Sequence, residues 1–234
     1  MTGKFKAGLE EWGLASGPEI LDRFDKYRRL LAEKNGSINL TAITDPAEVE
    51  TLHFLDSLAL FRAAGIHGRV IDVGSGAGFP GLPLKLVDPL ISLTLLDSHG
   101  KKVDFLRELT RLLDAGDTQC VQGRAEEQSL LPGYRDSYDF ALSRAVAQLN
   151  ILCELCLPFV RPGGMFLAMK STASDGEIKE AENAVKLLGG ELAPGLDYTV
   201  PGTDIAHRVV IVRKKTPTPK GYPRRFSRIQ KSPL

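Results

Sequence analysis

The residues best placed to do chemistry stand together in Asp72-Val73-Gly74-Ser75-Gly76-Ala77-Gly78-Phe79-Pro80-Gly81, directly after the apolar pair Val70-Ile71. Alternating glycines allow backbone conformations, and a close approach of a ligand, that a Cβ obstructs. The chemistry of such a loop is grip: in an open α/β sheet the carboxyl end of the first strand is where ligands bind. Leu93-Thr94-Leu95-Leu96 then ends at Asp97, about twenty residues beyond the glycines, where an acid can accept from ribose hydroxyls. A third such point is Gly123-Arg124-Ala125-Glu126, where the Ala125 amide and the Glu126 side chain can meet an adenine edge; alone, Glu126 reads as a solvated loop carboxylate. Other reactive residues have plainer readings. Cys153 and Cys156 fall among Leu149, Ile151, Leu152 and Leu155 and read as buried core, with no second pair to make a metal site. His53 and Asp56 share one helix face, either as a catalytic couple or, the reading preferred here, as a hydrogen-bonded pair tying a helix to the sheet. His67, His99 and His207 are too dispersed for a metal, and none is expected.

These residues need a scaffold, and the chain's rhythm supplies one. Residues 1–64 read as helices: Pro18 opens a segment whose Ile20, Leu21, Phe24, Tyr27, Leu30 and Leu31 share one face, and Asp45-Pro46 opens another that runs to Gly65. From Arg69 short apolar runs alternate with helical segments, the signature of βαβ units and a parallel sheet. Strands are expected at 70–73, 93–96, 119–121, 138–142, 165–169, 197–200 and 209–212, and a helix at 101–113. No helix fits between the last two strands, so they are expected as an antiparallel hairpin at the sheet edge. The organisation read from the chain is a helical region 1–64, a core 65–215 and a basic tail 216–234, which begins with a prolyl, extended stretch.

The protein has 234 residues, 43% apolar and 25% charged, the balance of an ordinary globular chain. No apolar run approaches the roughly eighteen residues a membrane helix needs. Glu10 and Glu11 interrupt the amino end where a signal sequence would be most apolar, and three cysteines suit a reducing compartment, so a cytoplasmic location is expected. The net charge of +1 conceals an asymmetry: nine of the 30 basic residues and none of the 29 acids follow Asp204. An acidic body with a basic end suggests a polyanionic partner met at one place.

The glycines can be read in two registers. Gly76, Gly78 and Gly81 match a dinucleotide fingerprint, but that register starts beyond the strand end and puts Pro80 where a helix should offer amides to a pyrophosphate. The register Gly74-x-Gly76-x-Gly78, preceded by Asp72, is similar to the first motif of class I S-adenosylmethionine methyltransferases, whose loop holds the amino-acid end of the cofactor. Together with Asn39-Leu40-Thr41, His53-Phe54-Leu55-Asp56-Ser57-Leu58, Lys101-Lys102-Val103-Asp104-Phe105-Leu106, Gly123-Arg124-Ala125-Glu126, Ser143-Arg144-Ala145 and Tyr222-Pro223-Arg224-Arg225, the chain resembles the RsmG family, also called GidB, over nearly its whole length. The resemblance implies an α/β fold of the class I, Rossmann-like type, with a seven-stranded, mostly parallel sheet, an antiparallel C-terminal hairpin and an N-terminal helical cap. It implies a bacterial enzyme that moves the methyl of S-adenosylmethionine to N7 of a guanine in 16S ribosomal RNA, with that RNA or the small ribosomal subunit as partner and no obligatory protein partner. Carried over by position, the cofactor contacts are Gly74, Phe79, Ala125, Glu126 and Arg144, with Gly76 in the same loop and Asp97 as the ribose acid.

No general base is expected, since guanine N7 has a lone pair and no proton to lose. The chain lacks an Asn/Asp-Pro-Pro-aromatic tetrad after its fourth strand and has Ser143-Arg144-Ala145 there instead. The planar fork of Arg144 suits the cofactor, a phosphate or the guanine edge, and it is the candidate for positioning; the plain alternative is a surface arginine. In the tail, Arg224, Arg225, Arg228 and Lys231 alternate with Tyr222 and Phe226, which suits RNA phosphates and stacked bases or else a disordered solubilising end. Two other classes stay open at this point: a nicotinamide-dependent oxidoreductase, and a non-catalytic RNA-binding protein on a methyltransferase fold.

Overall fold

The computed structural model describes residues 1–234. Its centre is a seven-stranded sheet of order β3-β2-β1-β4-β5-β7-β6, formed by β1 (Arg69–Val73), β2 (Ser92–Asp97), β3 (Thr118–Gln122), β4 (Tyr138–Arg144), β5 (Val160–Ser171), β6 (Gly190–Thr199) and β7 (Ala206–Lys214). The first five strands pair in parallel and β7 runs antiparallel to both β5 and β6, as the missing crossover between the last two strands requires. Strand order reverses between β1 and β4, which opens a crevice at their carboxyl ends.

Period-two alternation divides the strands between two cores. Val70, Leu93, Leu95, Leu142, Leu167, Met169, Val209 and Ile211 face one side, where they meet α1 (Gly3–Glu11), α2 (Pro18–Ile38), α4 (Asp56–Ala64), α5 (Gly81–Val87) and α6 (Gly100–Leu112). Ile71, Leu96, Ala141, Phe166, Ala168, Val210 and Val212 face the other, beneath α8 (Leu149–Cys156), α9 (Asp175–Leu187) and α10 (Phe226–Lys231). The helices of residues 1–64 therefore share one hydrophobic cluster with the sheet, where Phe5, Phe24, Phe54 and Tyr27 are fully buried. No helix is long and apolar enough to cross a membrane.

Asp45 caps α3 (Pro46–Glu48) by accepting from the Ala47 and Glu48 amides, and the helix continues as a π-helical turn at Val49–Leu55 before α4. π turns are rare and favour functional sites. This one carries Leu52 and His53.

Three expectations need correction. β5 starts at Val160, five residues early, because Pro162-Gly163-Gly164 reads as a turn although it lies within a strand whose residues 161–163 are exposed. β6 spans Gly190–Thr199 and not 197–200: as the outer strand it is half-exposed, so its pattern is weak. The tail is no disordered end. After the extended stretch it folds into α10, whose Ile229 is fully buried in the second core.

Candidate functional site

The glycine loop leaves β1 at the crevice. Gly74 has φ 75°, and a Cβ there would lie 2.7 Å from the Val146 side chain; Gly78 has φ 100°, and a Cβ would meet the Tyr27 hydroxyl at 2.6 Å. Both positions need glycine. Tyr27 donates to the Ala77 carbonyl (2.6 Å), and Asp72 accepts from the Gly81 amide (2.8 Å), which fixes the loop at both shoulders. Burial pushes the Asp72 carboxyl up to about 7, and its other oxygen has no hydrogen-bond partner.

Asp97, at the end of β2, closes the other side. One oxygen accepts from the Gly76 amide (2.9 Å) and the other from the His99 amide (2.8 Å), so this buried carboxylate staples the loop and keeps acceptor capacity on each oxygen. Gly74, Asp97, Ala125 and Glu126 line one cleft of about 310 Å³, together with the apolar Leu96 and Leu155. Glu126 is 6% exposed, and no protein donor reaches its side chain. Gly76 contributes through its bond to Asp97. Phe79 and Arg144 do not line this cleft.

Those two meet one layer away. Phe79 stacks between Tyr27 (centroids 5.3 Å apart, 6° between planes) and His53 (4.5 Å, 25°), with the Arg144 guanidinium 5.0 Å from its centroid. Arg144, at the end of β4, donates through Nη1 to the Leu52 carbonyl and to Asp56 (both 3.1 Å), and through Nη2 to His53 Nδ1 (3.0 Å). Arginine has no lone pair to offer, so His53 Nδ1 accepts and Nε2–H is left to donate to Thr41 Oγ1 (2.7 Å). His53 is thus neutral; burial, then the Arg144 charge, lower its pKa to about 3. His53 and Asp56 do tie helix to sheet, through Arg144 and not through each other. Arg144 is therefore not a surface arginine.

Asp56 is 3% exposed, and its second oxygen accepts from Tyr198 (2.6 Å) and His207 Nδ1 (2.7 Å). Burial alone would raise its pKa, but the bonds from His207, Arg144 and Tyr198 outweigh it and hold the carboxyl below its usual range. The same bond raises His207. His207 Nε2 is left over, and its ring lines a second cleft of about 500 Å³ with Arg144, Ala145, Lys170, Ser171 and Ile205. The two clefts share Ala145, a non-glycine residue held at φ 56°. Lys170, held by the Ala147 carbonyl (2.7 Å) and Glu177 (3.0 Å), and His207 had no motif to announce them.

The tail residues divide. Arg225, Arg228 and Lys231 are exposed, whereas Arg224 is spent on the buried Glu154, so it is not free for RNA. Phe226 lines the first cleft. Cys153 and Cys156 lie buried in α8, and burial raises both thiols.

A family model described as rRNA small subunit methyltransferase G matches residues 20–194. Proteins named ribosomal RNA small subunit methyltransferase G are similar along almost their whole length. That of Alkaliphilus metalliredigens is 42% identical over 98% of this chain and 97% of its own, and that of Thermoanaerobacter pseudethanolicus 43% identical over 97% and 95%. This chain belongs to the rRNA small subunit methyltransferase G family. Among solved structures, the YcgJ protein from Bacillus subtilis (TM-score 0.51, 15% identity, 69% of this chain and 98% of that one) and SpnF (TM-score 0.53, 15% identity, 68% and 80%) share the fold. SpnF is a cyclase, so the fold by itself does not fix the reaction. Membership of the rRNA small subunit methyltransferase G family does: the chain is a methyltransferase, which sets aside the nicotinamide enzyme and the non-catalytic binder. Its methyl donor is S-adenosylmethionine, and the first cleft fits that group, with a cradle at Gly74 that a Cβ would fill, a buried acid at Asp97 with lone pairs to spare, and the unpartnered Glu126.

Proposed function

We propose that the protein methylates N7 of a guanine in 16S ribosomal RNA, with that RNA or the small ribosomal subunit as partner and the cytoplasm as its location. The observation that carries this reading is the make-up of the second cleft. It contains no cysteine, which methylation of pyrimidine C5 requires; both Asp56 oxygens are engaged, His53 Nδ1 is occupied by Arg144, and the bond from Asp56 favours the protonated, donating form of His207, the one ring with a nitrogen left over. A base that attacks through a ring lone pair needs neither a cysteine nor a group to take a proton.

When bound, S-adenosylmethionine supplies an electrophilic methyl group on a cationic sulfur. The protein's own part is placement. Gly74, Ala125 and Glu126 would hold the donor with Asp97 at its ribose, while Arg144, immobilised from three sides, would present its remaining N–H donors to the base as a rigid template. Lys170, although paired with Glu177, and His207, whose bond to Asp56 favours its protonated form, place N–H donors in the same cleft, which suits the flanking phosphates. The donor would supply its methyl carbon to N7 with sulfur as the leaving atom, so the residues around the site need to align these three atoms and move no proton. Holding the three atoms in line can contribute on the order of 7–11 kcal/mol at best. In this reading residues 1–64 serve the substrate side, residues 65–215 carry the donor site, and Arg225, Arg228 and Lys231 of the segment 216–234 meet RNA phosphates.

The test is to incubate the protein with S-adenosylmethionine carrying a labelled methyl and with small-subunit RNA, naked and in subunit particles, and to analyse the nucleosides by mass spectrometry. Label in 7-methylguanosine is expected. Label at an exocyclic amine or a pyrimidine carbon overturns the reading.

A further inference from the structure

We infer that residues 222–231 form a third wall of the cofactor cleft, in which Phe226 lies against the adenine of the bound donor and Arg224 positions Phe226. The inference rests on the first cleft being the seat of S-adenosylmethionine.

Arg224 looks like a phosphate-binding residue by sequence, yet its side chain is 13% exposed and fully committed. Its amide and Nε donate to Glu154 Oε1 (2.8 and 2.9 Å), Nη2 donates to Oε2 (2.6 Å), and Nη1 reaches the Ser232 carbonyl (3.1 Å). Glu154 is a fully buried carboxylate between Cys153 and Leu155 of α8, and Leu155 lines the cleft. A buried charge is costly unless it is paired and hydrogen-bonded, so Glu154 and Arg224 act as a latch: losing either leaves the other uncompensated. Two further anchors hold the segment. Arg135 donates to the Tyr222 and Thr218 carbonyls (3.0 and 2.9 Å), and Ile229 is buried in the second core.

Between these anchors Phe226 is only half-buried, and its free surface faces the cleft beside Ala125 and Glu126. The Arg124 guanidinium sits 5.2 Å from its ring centroid and limits its movement. A fixed aromatic face next to groups suited to a purine edge is a stacking platform, and every purine has a π face to offer it.

Calorimetric titration of the full chain with S-adenosylhomocysteine, and with 5′-methylthioadenosine, which lacks the amino-acid end, tests this. Phe226→Ala is expected to weaken both ligands alike, by about 10-fold or more, with the unfolding temperature of the free protein unchanged. Phe226→Trp is expected to restore both. Arg224→Lys, which keeps the charge but loses the fork, is expected to weaken binding in the wild-type background and to add nothing in a Phe226→Ala background. Wild-type affinity in Phe226→Ala, or additive losses in the double variant, overturns the inference. A wild-type protein that binds neither ligand overturns the cofactor reading itself, a result distinct from normal wild-type binding with no loss on substitution.

Discussion

The two clefts that meet at Ala145 are built by opposite means. The first cleft, the proposed seat of the methyl donor, takes its parts from strand ends: Gly74 follows β1, Asp97 ends β2, and Ala125 and Glu126 follow β3, each beside the run that forms its strand. The second cleft joins the π turn, the end of β4, the end of β5 and the start of β7, and its central bonds span 88 to 151 residues of chain. The first is a set of local motifs. The second exists only once the helical region has packed on the sheet, and its members hold each other.

If the second cleft is one network, removing its centre should do the most damage. Arg144→Ala is expected to lower kcat/KM for methyl transfer by about 100-fold or more, the usual consequence of deleting a preorganised donor. Affinity for S-adenosylhomocysteine should stay near that of the wild type, because Arg144 lines only the second cleft. A large loss of cofactor affinity would put Arg144 in the first. The converse variant, Asp97→Ala, removes the proposed ribose acceptor and unpins Gly76 and His99. It is expected to weaken S-adenosylhomocysteine by about 10- to 100-fold in calorimetry, since hydrogen bonds to charged groups contribute about 1.5–3 kcal/mol each.

The same contrast explains what could be read without coordinates. The glycine loop, Asp97 and the hairpin β6–β7 were legible because each depends on neighbours in sequence or on the room for a crossover. Phe79 is adjacent to the loop and so joins the cofactor set by position, yet its ring packs between Tyr27 and His53, 52 and 26 residues earlier in the chain, a contact that no motif encodes. His207 looked isolated because its partner Asp56 lies 151 residues away in the chain. Arg224 looked like an RNA contact because nothing local reveals that Glu154 is buried and in need of a cation.

Smaller effects refine the contrast. His53 is held neutral, with a folded pKa of about 3 against an ordinary value of 6.5. An unfolded chain therefore binds a proton that the folded chain does not, and this contribution to stability is present above about pH 6.5 and lost as pH falls toward 3. His53→Gln is expected to flatten that decline, narrowing the drop in Tm between neutral and acid pH by about 3 °C or more, measured by calorimetric unfolding. An equal decline in both proteins would remove His53 from the network. Last, replacing Arg225, Arg228 and Lys231 together by Ala, with Arg224 left in its latch, is expected to lower the slope of log K against log salt for RNA binding by about 2. An unchanged slope would confine RNA contact to the body of the protein.

The central claim is that the methyl donor sits in the cleft at the ends of β1, β2 and β3 and faces the second cleft across Ala145. A crystal structure with S-adenosylhomocysteine tests it most directly. The ribose is expected at Asp97, the adenine beside Ala125 and Glu126, and the sulfur toward Ala145; a ligand seated in the second cleft, or with its sulfur turned away from Ala145, would contradict the account.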